Sequence, residues 1–123
     1  MEKSSKVRYG ALNRFVQAAT GLFLVFFLGV HLYVAHINFG NPVALFGSVV
    51  NQLHNPWWLA FFLIFVYIVT YHGINGLSHV IDDTSISDKS KKYIGIALMV
   101  IYVITIIYGT ILAVLVSRMT FPT

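Results

Sequence analysis

"WWLAFFLIFVYIVTYHGINGLSHVIDD", residues 57–83, decides how this chain folds. Its first thirteen residues, Trp57 to Val69, carry no formal charge. The rest puts two histidines, an asparagine and two glycines on the closing turns of the same apolar segment. At a rise of about 1.5 Å per residue, roughly twenty residues of helix cross a hydrocarbon core of about 30 Å. Residues 57–78 meet that length and are too many for a spanning strand. Backbone groups in lipid must bond within their own segment, so this stretch is a transmembrane helix.

Outward from it, residues 15–37 and 93–117 pass the same test. The expected fold is an all-α integral membrane protein with three transmembrane helices, a single domain over residues 1–123. Composition agrees. The chain is 58% hydrophobic and 10% charged, with a mean hydropathy of +0.79. A soluble domain carries about 25% charged residues. The absence of cysteine excludes disulfides, iron–sulfur ligation and thiol catalysis by this chain. A net charge of +4 and a pI near 9.5 would suit a nucleic-acid binder. Here the basic residues sit at the ends of apolar spans, a membrane-orientation pattern with no nucleic acid implied. The first apolar run is too long for a signal-peptide core, and no Arg/Ser-rich leader precedes it, so a prokaryotic plasma membrane is expected.

Charge placement sets the expected orientation. Lys3, Lys6, Arg8 and Arg14 precede the first span, and Lys89, Lys91 and Lys92 lie between the second and third. The link from Asn38 to Pro56 has no Lys or Arg, and only Arg118 follows the third span. The positive-inside rule then puts the N-terminus in the cytoplasm and the C-terminus outside. Trp57 and Trp58 fall where an outer aromatic belt would lie. Asp82 to Lys92 forms a short loop joining the last two spans as an antiparallel pair. In the outer link, the prolines of "NPVALFGSVVNQLHNP", residues 41–56, bracket a short helix suited to the interface.

Polarity inside the spans is the sharper signal. His31 lies about sixteen residues, or roughly 24 Å, from the inner end of the first span. His72 stands about ten residues before Asp82, in the inner half of its span, and the two imidazoles are expected to differ in height by roughly 14 Å. They cannot grip one haem from opposite faces. If both ligate iron they ligate different haems, with the opposing imidazoles supplied by another polypeptide or another copy. On the second helix His72, Gly76, His79 and Asp83 form one stripe, and Gly73 and Gly76 remove bulk beside the imidazole. On the first, Arg14, Gln17, Gly21, Leu24, Leu28 and His31 form another, with Arg14 at a height suited to haem propionates. The alternative is that these small and polar residues serve helix packing and interhelical hydrogen bonds. Zinc would need three or four ligands at one height, and no His-x3-His pair supplies them. His36, about 140° round a regular helix from His31, suits a lipid, quinone or propionate contact rather than ligation. His54 reads as a surface histidine.

These residues carry a resemblance. "YHGINGLSHVIDD" resembles the Tyr-His-x3-Gly-x2-His-x3-Asp segment of the cytochrome b membrane anchors of succinate dehydrogenase and fumarate reductase, respiratory complex II. In that family the histidine after the tyrosine is an axial ligand of haem b, which here is His72. "LNRFVQAATGLFLVFFLGVHLYVAH" resembles the first span of the five-helix, two-haem anchors, in which an arginine precedes an outer-haem histidine by about seventeen residues. That carries over to Arg14 and His31. The resemblance covers Tyr9 to Asp83, two of the three spans. The third, "YIGIALMVIYVITIIYGTILAVLV", has no histidine, and "QAATG" lacks the arginine of the family's Arg-x-Ser/Thr-Gly motif.

The resemblance implies half of a two-subunit haem-binding bundle. One or two haem b groups would be shared with a second small membrane-anchor subunit. A flavoprotein subunit and an iron–sulfur subunit would complete the complex and exchange electrons with quinone. Metal ligands are then His72 and His31, with Arg14, His79 and Gly76 beside the haem. Quinone contacts would come from Gln17, Thr20 and Arg14 inside, or His36 and Asn38 outside. The chain carries no acid–base or nucleophile arrangement, so it would be a subunit of an enzyme rather than an enzyme alone. Two rivals remain: a haem-free structural anchor of the same complex, and a proton- or ion-conducting helper using His31, His72 and His79.

Overall fold

The computed structural model describes the backbone of residues 2–38 and 46–120, and side-chain surroundings for 10–34, 37 and 47–120. The side chains of His36 and Asn38, named above as outer quinone candidates, lie outside the described residues. Everything regular among the described residues is helical: α1 (Glu2–Leu32), a π-helical extension (Tyr33–Asn38), α2 (Phe46–His54), α3 (Pro56–Asp82) and α4 (Asp88–Ser117). Gly10–Leu32, Pro56–Asp82 and Asp88–Ser117 are long and apolar enough to cross a membrane. The chain is an all-α, multi-span membrane protein.

The helices run past the apolar limits read from the sequence because nothing there breaks them. α3 continues from Ser78 through His79, Val80 and Ile81 to Asp82, a stretch without glycine or proline. α4 begins at Asp88 rather than Tyr93, since Ser87 caps it by accepting the Ser90 N–H at 3.2 Å, with Asp88 in the first turn. At the other end of α3, the Asn55 side chain accepts the Trp57 N–H at 3.0 Å, and Pro56 takes a first-turn position where no N–H is missed. Lys91 Nζ donates to the Asp82 carbonyl at 2.7 Å and closes the α3–α4 turn. In the π-helical extension, the register that separates His36 from His31 in a regular helix no longer applies.

α3 is the middle member. It packs on α1 along one side and on α4 along the other, and α1 and α4 do not meet among the described residues. Against α4, a Cβ on Gly109 would lie 3.0 Å from Val66 Cγ1, and Tyr67 OH pairs with Thr110 Oγ1 at 2.7 Å. The short helix expected between the prolines is α2. It seats Val50 and Leu53 with Val116 of α4, against Leu59 and Phe62 of α3. His54 is exposed, and its Nε2 donates to the Met119 carbonyl at 2.7 Å, joining α2 to the end of α4. Much of the spans' remaining surface is apolar, with Phe15 70% and Leu22 74% exposed. Such faces suit lipid tails or a neighbouring membrane subunit.

Candidate functional site

The α1–α3 seam brings Gln17, Thr20, His72 and Asn75 together in successive layers. Two glycines let the helices approach. A Cβ on Gly21 would lie 3.2 Å from His72 Cε1, and one on Gly76 would lie 2.9 Å from Gln17 Nε2. The imidazole of His72 therefore rests on the backbone of α1 at Gly21. Beside it, Thr20 Oγ1 stands 3.0 Å from His72 Nδ1. The same hydroxyl lies 2.9 Å from the Val16 carbonyl and 3.0 Å from the Gln17 carbonyl of its own helix. Gln17 then clasps α3: its Nε2 donates to the His72 carbonyl at 3.2 Å, and its Oε1 accepts from Asn75 Nδ2 at 2.7 Å.

Toward the α3–α4 turn, Asn13 Oδ1 and His79 Nε2 are both enclosed without a hydrogen-bond partner among the described residues. A buried polar atom in that state costs about 1–3 kcal/mol, so this end of the seam is poised for a partner group. In the opposite direction the seam turns aromatic. Phe27 packs on Phe61 and Phe65, with centroids 4.9 and 6.4 Å away. His31 stacks on Phe65 at 5.6 Å and 19°, and meets Phe62 edge-on at 5.8 Å.

Since His72 faces Thr20 and Gly21 while His31 faces Phe62 and Phe65, the two imidazoles sit about ten residues, or roughly 15 Å, apart along the seam. They occupy different levels. The remaining sequence candidates divide differently from their helical stripes. Gln17, Thr20, Gly21, His72, Gly76 and His31 come together on the seam, whereas Arg14 is exposed. Gly76 makes room for Gln17 rather than for open space, while a Cβ on Gly73 would meet nothing within 4 Å. Asn75 had no assigned role, yet it bonds Gln17 and borders a groove of about 260 Å³ between α3 and α4, with Tyr71, Ser78, Gly95, Met99 and Tyr102. Its polarity amid apolar residues was the available signal.

For a haem axial position the donor chemistry fits. One imidazole is needed per face of the macrocycle, and the nitrogen distal to the iron is ordinarily held by a hydrogen bond from its N–H. His72 has Thr20 Oγ1 within hydrogen-bond distance of its Nδ1, and open space at Gly73 leaves one flank of its turn clear. His31 has aromatic rings on two sides and no comparable polar neighbour among the described contacts.

Comparison with known proteins identifies the family. The family model described as succinate dehydrogenase/fumarate reductase transmembrane subunit matches residues 3–119. A succinate dehydrogenase hydrophobic membrane anchor subunit from Thermoplasma acidophilum is 78% identical over 123 residues, covering 100% of both chains. Another protein of that description, from Archaeoglobus fulgidus, is 24% identical over 107 residues, covering 87% of this chain and 91% of its own. The chain belongs to the succinate dehydrogenase/fumarate reductase transmembrane subunit family.

Proposed function

We propose that this chain is a membrane-anchor subunit of a succinate dehydrogenase, that His72 is an axial ligand of haem b, and that the assembled anchor passes electrons between an iron–sulfur subunit and quinone. The observation that carries the haem assignment is the Thr20–His72 contact at 3.0 Å beside Gly21. It ties down Nδ1 and leaves Nε2 as the nitrogen available to iron. Haem, when bound, supplies a one-electron store in a site without an open iron position.

This chain's residues have distinct parts in that reading. His72 Nε2 binds, Thr20 fixes the ring, and Gln17 holds the α3 backbone at the ligand's own carbonyl. Arg14 and His79 supply polar groups toward the α3–α4 end, where propionates need neutralising. The opposing imidazole comes from a second small anchor subunit, because His31 lies at another level. His31 has two readings: a ligand to a second, outer haem, or an aromatic packing residue, the latter favoured by its stacking on Phe65. Flavoprotein and iron–sulfur subunits complete the complex on the cytoplasmic face, and the membrane is the plasma membrane of a prokaryote. The two relatives come from archaea.

The test is purification of the assembled complex through a tag on this chain, with haem and flavin counted per copy. We expect flavin, iron–sulfur centres, a second small hydrophobic subunit and at least one haem. An intact, quinone-reducing complex with no haem would leave the structural-anchor role and remove the electron carrier.

A further inference from the structure

We infer that Thr20 is the positioning residue for His72: its hydroxyl selects the imidazole tautomer that presents Nε2, and tunes the potential of the group bound there. The inference rests on the haem reading above and deepens it. It follows from counting protons around one oxygen. Thr20 Oγ1 has the Val16 carbonyl at 2.9 Å, the Gln17 carbonyl at 3.0 Å and His72 Nδ1 at 3.0 Å, but it carries a single proton. Were that proton given to Nδ1, the hydroxyl oxygen would face two carbonyl oxygens within 3.0 Å with nothing between them. Bonding back to the carbonyls of the preceding turn is what a helical threonine does. The proton on the third contact therefore belongs to the imidazole. Nδ1–H donates to Oγ1, Oγ1–H donates to its own helix, and Nε2 is left with its lone pair.

Three further observations make this a built arrangement. Gly21 is next in sequence and lets the ring lie close beside Thr20, since a Cβ there would stand 3.2 Å from Cε1. Gln17, one turn earlier, anchors the backbone of the same histidine. Gly76 provides the space Gln17 occupies. Thr20 thus acts through His72. A hydrogen bond from the distal N–H makes the imidazole a stronger base, which favours the ferric state. Removing the acceptor weakens the ligand and raises the potential.

The experiment is redox titration of the haem in the purified complex carrying Thr20→Val, Thr20→Ser or His72→Ala. We expect Thr20→Val to bind haem with a raised midpoint, a tenfold loss of ferric preference corresponding to about 59 mV for one electron. Thr20→Ser, which keeps the hydroxyl, should stay at the wild-type midpoint. Loss of haem in Thr20→Val with retention in Thr20→Ser supports the same role. An unchanged midpoint and spectrum in Thr20→Val, or loss of haem in both Thr20 variants, overturns it. Full haem content in His72→Ala overturns instead the ligand assignment on which it rests.

Discussion

At the scale of single residues, the seam around His72 leaves little slack. Gly21 lies under the imidazole, and a Cβ would come within 3.2 Å of a ring already tied to Thr20. We expect Gly21→Leu to displace the ring at a cost of about 1–3 kcal/mol, typical of overpacking. Haem occupancy should fall sharply while helicity by circular dichroism stays unchanged. Wild-type occupancy in that variant would show that His72 is held elsewhere. That His72 and His31 lie inside apolar spans was readable from the sequence, where an imidazole in lipid stands out. The Thr20 partnership was not. Pairing across helices depends on which α1 residue meets which α3 residue, and the link between them contains a separate helix, so loop length does not set that register. Gly76 shows the same limit. Its missing side chain reads as room for a ligand, yet the space is taken by Gln17.

Helices in lipid gain no hydrophobic drive toward each other, so at the scale of elements close packing and a few hydrogen bonds decide the arrangement. In α1–α3, Gln17 supplies bonds to the His72 carbonyl and to Asn75. In α3–α4, the Tyr67–Thr110 pair and the close approach at Gly109 do the corresponding work. Interhelical bonds of this kind contribute about 0.6 kcal/mol on average. Tyr67→Phe should therefore lower stability by about that amount, and Gln17→Leu by roughly twice as much, measured by denaturant unfolding in detergent micelles. A Gln17→Leu variant as stable as wild type would mean that the Gln17 contacts contribute nothing net. Three spans and the short linking helix were readable because length and hydropathy suffice for them. The ends were not, since polar residues such as His79 and Asp88 continue a helix as readily as apolar ones, and the limits are set by the caps at Asn55 and Ser87 and by the Lys91 contact at the end of α3.

For the whole molecule, a row of spans with α3 in the middle leaves the faces of α1 and α4 turned away from α3 largely open to lipid or protein among the described residues. The absence of cysteine makes its orientation easy to test. Ser85 lies exposed in the α3–α4 turn and Thr120 exposed beyond α4. In intact cells, an impermeant maleimide should label Thr120→Cys and spare Ser85→Cys, with the reverse in inverted vesicles. The opposite pattern would invert the positive-inside assignment. With one imidazole per level, the chain expressed without its partner should hold no six-coordinate haem, and co-expression should restore it. The most direct measurement is the reduced-minus-oxidised spectrum of the fully assembled complex carrying His72→Ala. The b-type signal assigned to this level should vanish while flavin and iron–sulfur content match wild type. An unchanged spectrum in that assembled variant would show that His72 does not bind the iron.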